Sequence, residues 1–194
     1  MKSLEITYPE RFFARRSGIA WRSEVLCPVI MDILQPKSVI DVGCAIGDFV
    51  KWFNDHKIDS VGIEGSQGAR KYAMTDKIIY HDLRIPILSP VKVDLAMSIE
   101  VAEHIEPEYA EIYVKNLTMM SNNLLLTIAG PEQKGHSHVN LQPIEYWDDL
   151  FFKFNFSRRK IIESKFKGAL HLHRANRWVN AITNNLCFYQ GGSQ

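Results

Sequence analysis

Short nonpolar runs alternate with amphipathic stretches along most of the chain. Five such runs, bounded by polar residues or by Gly and Pro, lie at residues 38–42, 60–64, 77–80, 93–98 and 123–129. Runs of this length with these boundaries are typical of buried strands. Helical patterns at 48–56, 66–75 and 107–121 separate several of them. This alternation predicts repeated strand–helix–strand units and therefore a parallel sheet.

The pattern continues beyond residue 130 with helices predicted at 144–154 and 172–181 and strands at 160–166 and 186–190. In the first of these helices, Trp147 is expected to pack on the sheet rather than to contact a ligand. The sequence therefore predicts an α/β fold of the Rossmann-like, doubly wound type. Its seven-stranded sheet would be mostly parallel, with helices on both faces and an antiparallel last strand.

Length and composition favour one domain over residues 1–194. A chain of 194 residues, 46% of them hydrophobic, is long enough to bury one sizeable core. We expect residues 1–35 to cover the cofactor and substrate, 36–130 to bind the cofactor, and 131–194 to complete the sheet on the substrate side. No repeat or low-complexity linker interrupts the chain.

Charge and cysteine content limit the classes of partner. The 23 basic and 22 acidic residues give a net charge of +1, so no overall field attracts a polyanion, and we expect no nucleic-acid partner. The cysteines Cys27, Cys44 and Cys187 lack the spacing of zinc ligands, and their odd number argues against the disulfide framework of a secreted protein. With no signal-like N-terminus and no nonpolar run of membrane-spanning length, we expect a cytoplasmic protein without membrane insertion. The oligomeric state stays open.

A glycine-containing turn follows the first predicted strand in the sequence VIDVGCAIGDF, which holds Asp41, Gly43, Ala45 and Gly47. Glycine lets the backbone approach a ligand closely, and ligands of open α/β sheets bind beyond the carboxyl ends of strands. The glycines are four residues apart, whereas the dinucleotide fingerprint needs G-x-G-x-x-G, which disfavours a pyrophosphate. Glu64 ends the second strand, 23 residues after Asp41, where a carboxylate can accept hydrogen bonds from both ribose hydroxyls.

These motifs, with Asp82 in YHDLRIP after the third strand, resemble those of class I S-adenosylmethionine-dependent methyltransferases. The resemblance covers about residues 36–130 and implies S-adenosylmethionine as the cofactor. Ala45 stands where glycine is commoner in the family. The residues that the resemblance assigns to the cofactor are Asp41, Gly43, Ala45 and Gly47 at the methionine and ribose end, Glu64 at the ribose diol, and Asp82 and Leu83 at the adenine.

Two further cofactor contacts are expected outside these motifs. Ser98, at the end of the fourth predicted strand, is one of them. The other is an arginine of the segment FFARRSGIAWR, which would pair with the cofactor carboxylate. Arg16 is our choice, and Arg15 and Arg22 are the alternatives. Cys44 is expected to pack in the turn rather than to act as a nucleophile.

Metal-ligand side chains follow the fourth strand in IEVAEHI, where Glu100, Glu103 and His104 share one face if a helical turn begins there. The loop after the fifth strand, AGPEQKGHSHVN, adds His136 and His138 from a neighbouring strand end. Carboxylates and imidazoles suit a divalent cation, Mg²⁺ or Mn²⁺ in this setting. We expect Glu100, Glu103, His104 and His138 as the ligands, and the choice of His138 over His136 stays open.

The ExxEH element with a later histidine is similar to the metal site of small-RNA 3′-terminal 2′-O-methyltransferases. ExxEH also occurs in ubiquinone-pathway O-methyltransferases, and both families methylate one oxygen of a vicinal pair. The expected catalytic residues are His104, His136 and Glu103, among which the sequence does not choose the proton acceptor. The alternative is that Glu103 caps a helix and the histidines are solvated.

Aromatic residues near the predicted cavity mouth indicate the acceptor. Tyr8, Phe12 and Trp21 are expected to contact it, and aromatic faces beside carboxylates suit a sugar ring. We therefore expect a carbohydrate or another small diol, as in a capsular or viral glycan methyltransferase domain, which in the viral case acts in the host cytoplasm. The alternatives are a terminal ribose of RNA, a catechol, and a cofactor-binding module without catalysis.

Overall fold

The computed structural model describes residues 3–90, 92–173 and 175–192. In this part of the chain, seven strands form one sheet in the order β3-β2-β1-β4-β5-β7-β6. Strands β1 to β5 are parallel, and β7 runs antiparallel to both β5 and β6. The predicted fold class is therefore confirmed. The strands are β1 Ser38–Val42, β2 Asp59–Glu64, β3 Ile78–Tyr80, β4 Leu95–Ile99, β5 Asn123–Thr127, β6 Phe156–Arg158 and β7 Leu186–Gly191.

Helices cover both faces of the sheet, and the central strands are therefore buried on both of their faces. On β5, Leu124 and Leu126 join the core beneath α5 and α6, while Leu125 joins the core beneath α3, α4, α7 and α8. None of the helices in the described residues is both long enough and nonpolar enough to cross a bilayer. The helices are α1 Leu4–Thr7, α2 Glu10–Ala14, α3 Trp21–Leu34, α4 Asp48–Asp55, α5 Ala110–Met120, α6 Ile144–Phe152, α7 Lys160–Leu170 and α8 Arg177–Asn185.

The predicted strand at 160–166 is wrong, because these residues begin α7. Ile162, Phe166 and Leu170 recur every four residues and pack together on the sheet, which is helical spacing. The strand of this region is the short β6, which ends at Arg158. A run rich in isoleucine and phenylalanine fits both structures, and only its packing partners distinguish them.

Two predicted helices also have different bounds. The helix expected at 66–75 is a 3-10 helix over Gln67–Tyr72. The helix expected at 172–181 instead begins at Arg177, because the Asn176 side chain accepts hydrogen bonds from the backbone N–H groups of Trp178 and Val179. Residue 174, which the predicted helix includes, lies outside the described residues.

The buried carboxylate of Glu163 fixes α7 to the sheet. It accepts hydrogen bonds from Arg158 Nε and NH2 at 2.8 and 2.6 Å and from Phe188 N at 3.1 Å. Glu163→Ala leaves three N–H donors without this partner and is expected to lower the free energy of unfolding in urea by about 2 kcal/mol. Lys165→Ala, on the exposed side of α7, should change it by less than about 0.5 kcal/mol. Equal stability of the two variants would contradict this role.

Candidate functional site

A cavity opens at the carboxyl ends of the central parallel strands. It is bounded by Gly43 and Ala45 after β1, Glu64 at the end of β2, Leu83 after β3 and His104 after β4. Side chains from α1 and α2 close its N-terminal side. A second cavity adjoins it and shares several wall residues, which are Arg16, Gly43, Ala45 and Glu100. Open α/β sheets bind ligands at this position.

The turn after β1 has a backbone that requires glycine at its start. Gly43 has a φ of 86°, and a Cβ added there would overlap the side chain of Val101. Gly47 has a φ of 77° and directly precedes α4. Ala45 also has a positive φ, 51°, although it carries a side chain. The turn therefore brings its backbone to the cavity wall at some cost in strain.

Glu64 is oriented by this turn and by the start of the next loop. Its carboxylate oxygens accept hydrogen bonds from Ala45 N at 2.9 Å and Ser66 N at 2.8 Å. Burial raises its pKa to about 7, although these two hydrogen bonds favour the ionised form. The side chain is thus held rigidly at the cavity wall and gains from any additional hydrogen-bond donor.

The second cavity brings three acids, Asp41, Asp48 and Glu100, together with two arginines. Asp41 is 2% exposed, one of its oxygens lacks a hydrogen-bond partner, and burial raises its pKa well above the ordinary value. Burial likewise raises the pKa of Asp48 to about 6 and lowers that of Arg22 to about 10. The Arg22 guanidinium lies 4.7 Å from the ring centre of Trp178. Buried charges of both signs suit a ligand with an amino and a carboxylate group.

Of the three arginines considered from the sequence, Arg16 and Arg22 line the second cavity, whereas Arg15 is exposed. Trp178, on α8, was not foreseen, because it lies far from the cofactor motifs in the sequence. Burial lowers the pKa of Arg16, whose charge is nevertheless favoured by Asp48, Glu64 and Glu100. Either Arg16 or Arg22 is placed to meet a carboxylate.

The predicted adenine residues, Asp82 and Leu83, line the main cavity. Leu83 is buried and lines it. Asp82 also lines it, but Arg84 holds its carboxylate through Nε at 3.0 Å and NH2 at 2.8 Å. Ser98 is fully buried and donates its hydroxyl hydrogen to the Val42 carbonyl oxygen at 2.7 Å. The structure therefore places Ser98 in an internal contact.

Three of the predicted metal ligands converge beside the main cavity. The ligand atoms of Glu103, His104 and His138 all lie within 4.8 Å of one another. Glu103 is fully buried, and neither of its carboxylate oxygens has a hydrogen-bond partner. Burial and the nearby charge of Glu100 raise its pKa to about 8. The carboxyl is therefore mostly protonated at pH 7 in the ligand-free protein, and ionising it is costly unless a cation neutralises the charge.

Backbone carbonyl groups set the tautomers of both histidines of this triad. Nδ1 of His104 lies 3.0 Å from Ser137 O, and Nδ1 of His138 lies 2.7 Å from Gln133 O. Because a carbonyl oxygen can only accept, each Nδ1 carries hydrogen and each neutral ring leaves Nε2 as a lone-pair donor. Burial lowers the pKa of His104 to about 4, which keeps that ring neutral.

Glu100 and His136 lie outside the triad. Glu100 has a φ of 59°, and its carboxylate accepts a hydrogen bond from the Thr127 hydroxyl at 3.1 Å. The 3-10 turn begins two residues later, over Ala102–His104, so the helical face expected from Glu100 does not form. His136 is exposed, and its Nε2 lies 3.5 Å from Thr7 O.

The N-terminal segment brings aromatic rings over the histidines. The Tyr8 ring centre lies 5.8 Å from that of His104 and 6.4 Å from that of His136, and the Phe12 ring is stacked on His136. The Tyr8 hydroxyl is buried without a hydrogen-bond partner. Trp21, in contrast, packs edge-on against Trp178. Of the aromatic residues expected at the acceptor, Tyr8 and Phe12 therefore meet the predicted catalytic region.

No family model and no curated protein matches this chain. Solved structures do match it, all at low identity. A SAM-dependent methyltransferase from Archaeoglobus fulgidus is 16% identical, with a TM-score of 0.56 over 73% of this chain and 69% of that one. An O-methyltransferase from neocarzinostatin biosynthesis is 11% identical, with a TM-score of 0.57 over 78% and 54%.

The small RNA methyltransferase HEN1 is 15% identical, with a TM-score of 0.56, and the match covers 71% of this chain and 22% of that longer one. At such identities the likeness shows the fold, and the chemistry has to be argued from the residues of the site. The resemblance inferred from the cofactor motifs is confirmed at the level of the fold. This chain has the class I S-adenosylmethionine-dependent methyltransferase fold.

Proposed function

We propose that this chain is an S-adenosylmethionine-dependent O-methyltransferase that uses a divalent cation to methylate one hydroxyl of a vicinal diol on a sugar. The fold supports the cofactor class. One observation carries the metal-assisted chemistry, namely the fully buried Glu103 carboxylate without a partner, with ligand atoms of His104 and His138 within 4.8 Å.

For the cofactor, the proposed contacts are Glu64 at the ribose, Asp82 and Leu83 at the adenine, and Arg16 or Arg22 at the carboxylate. When bound, S-adenosylmethionine supplies an electrophilic methyl group on a positively charged sulfur. Glu64 accepts the ribose hydroxyls in an orientation that Ala45 N and Ser66 N have already set. Asp41 and Asp48 line the second cavity together with Arg16 and Arg22.

The triad fits a divalent cation such as Mg²⁺ or Mn²⁺, because it joins one unpartnered carboxylate to two rings with an unprotonated Nε2. When bound, the cation lowers the pKa of a hydroxyl oxygen that it contacts and orients the diol. In this role Glu103, His104 and His138 hold the cation. The charge of Glu100 acts on Glu103, and Glu100 remains a proposed additional ligand.

His136 is the proposed proton acceptor, because it is the neighbouring imidazole outside the triad. Its Nε2 faces the Thr7 carbonyl oxygen, so the acceptor hydroxyl would lose its proton to Nδ1. Tyr8 and Phe12 lie beside this ring and offer aromatic faces to the nonpolar side of a sugar. These residues exclude water from the acceptor while the cofactor occupies the main cavity.

The test measures transfer of a labelled methyl group from S-adenosylmethionine, with Mg²⁺ or Mn²⁺, to methyl glycosides that carry a vicinal diol. Deoxy versions of the same glycosides, which lack one hydroxyl, are matched controls. Transfer to the diols only, with loss of at least about 90% of the rate on chelation, is expected. Full activity after exhaustive chelation would remove the cation from the proposal.

Three alternative acceptor outcomes are distinguished by the same assay. Methylation of a catechol but of no glycoside would overturn the sugar assignment. So would methylation of a terminal ribose in an RNA oligonucleotide, with binding that weakens steeply as salt rises. Cofactor binding without transfer to any of these acceptors would favour a module that binds the cofactor without catalysis.

A further inference from the structure

A buried arginine bridges the two halves of the site. Arg84 lies two residues after Asp82, and its side chain is only 4% exposed. The guanidinium binds the Asp82 carboxylate through Nε and NH2, and its NH1 donates to Glu106 Oε1 at 2.9 Å. Burial alone would raise the pKa of Asp82, but the hydrogen bonds from Arg84 hold it below its ordinary value. The bridge is therefore an ionic one.

The two carboxylates belong to different loops with different roles. Asp82 lies in the loop after β3, whose residues are proposed to meet the adenine. Glu106 ends the loop after β4, two residues beyond His104 and three beyond Glu103. Both carboxylates and Arg84 line the main cavity. Arg84 thus connects the cofactor side of the cavity to the cation side.

The loop after β3 is held firmly by a second buried residue. Asn116 on α5 is 1% exposed and donates its side-chain hydrogens to Leu83 O and Ile85 O, while it accepts from Ile87 N at 3.0 Å. This fixes the backbone on both sides of Arg84. The guanidinium is consequently a rigid anchor rather than a mobile surface charge.

The loop after β4 has two points of attachment around the triad. On one side, the Glu103 carbonyl oxygen accepts from Val139 N and Asn140 N at 2.9 and 3.1 Å. On the other side, Glu106 is held by Arg84. The positions of the Glu103 and His104 side chains therefore depend on the Arg84–Glu106 contact as well as on the loop that carries His138.

We propose that Arg84 is a positioning residue that couples the cofactor site to the cation site, so that each ligand binds more tightly when the other is present. This inference rests on the proposed function. A ligand that shifts the Asp82 carboxylate also shifts Arg84 and, through it, Glu106, so binding at one site changes the position of the loop at the other. Because coupling of equilibrium affinities is reciprocal, the factor must be the same in both directions.

The experiment titrates Mn²⁺ into the protein with and without S-adenosylhomocysteine, and S-adenosylhomocysteine with and without Mn²⁺. Each ligand is expected to tighten the binding of the other by about fivefold to tenfold. In Glu106→Gln the factor should fall below about twofold, whatever change the variant makes in the affinity for each ligand alone. Glu108→Gln, an exposed glutamate in the next turn, is the matched control and should keep the wild-type factor.

Arg84→Lys supplies a second variant, which keeps the positive charge but cannot span both carboxylates in the same way. It too should lose the coupling. Coupling that persists in Glu106→Gln, or binding of both ligands to the wild type without any coupling, overturns the inference and leaves the proposed function standing. Absence of Mn²⁺ binding to the wild-type protein overturns the cation part of the proposed function and this inference with it.

Discussion

Replacing Glu103 with Gln is expected to weaken Mn²⁺ binding at least about 100-fold and to leave the affinity for S-adenosylhomocysteine within about threefold of wild type. Glu103 is the only acidic member of the triad, and neither of its carboxylate oxygens has a hydrogen-bond partner. Isothermal titration of each ligand measures the two affinities separately.

The variant should fold as well as the wild type. With a pKa of about 8, the Glu103 carboxyl of the cation-free protein is mostly neutral at pH 7, and its isosteric amide is neutral as well. Thermal melts without metal at pH 7 are therefore expected to show Glu103→Gln about as stable as wild type. Glu108→Gln serves as the control for any loss of acidic charge near the loop. Unchanged Mn²⁺ affinity in Glu103→Gln would eliminate the triad as a cation site.

The affinity for S-adenosylhomocysteine is expected to rise with pH through about 7 and to fall at least about tenfold in Glu64→Gln. Burial raises the pKa of Glu64 to about 7 in the ligand-free protein. The carboxylate form accepts hydroxyl donors better, so below pH 7 binding must first remove a proton. The affinity should therefore increase by up to about tenfold per pH unit on the acid side.

The free energy of unfolding of the ligand-free protein should change with pH in the opposite direction to this affinity. Because the folded pKa of about 7 lies above the ordinary value of 4.5, the ligand-free folded state holds more protons between these values. Its free energy of unfolding therefore falls as pH rises from 4.5 to 7, and bound S-adenosylhomocysteine should reverse this fall.

Asp48 is the necessary control, because burial raises its pKa to about 6 in the neighbouring cavity. Asp48→Asn should keep the rise in S-adenosylhomocysteine affinity between pH 6 and 8, whereas Glu64→Gln should abolish it. A wild-type affinity that does not change over this range, or a rise that survives in Glu64→Gln, would show that Glu64 does not meet the ligand.

Much of the cofactor half could be predicted from sequence because its signals are local. A strand, a turn that needs Gly43 and an acid at the end of the next strand follow one another in order, and each has a backbone reason for its position. The strand at 160–166 could not be separated from a helix, because Ile162 and Phe166 suit either structure. Its type is decided by packing on the sheet, where Ile162, Phe166 and Leu170 meet the same core at helical spacing.

The candidate site differs from the sequence prediction where residues far apart along the chain contact each other. Spacing alone brings Glu100, Glu103 and His104 together, but the positive φ of Glu100 turns its carboxylate to Thr127 on β5. Arg84 was overlooked altogether. The sequence DLRI could have indicated a buried arginine, because Arg84 stands between two nonpolar residues and two positions after Asp82. Nothing in that pattern points to Glu106 as its second partner.

The position of β7 has a consequence for synthesis of the chain. Leu186–Gly191 is the last strand to be translated among the described residues, yet it pairs with both β5 and β6. Until it emerges from the ribosome, β5 exposes an unpaired nonpolar edge and β6 has no neighbour in the sheet. Such an edge is prone to pair with other chains. Nascent chains stalled before Leu186 should therefore need chaperone protection that the finished protein does not.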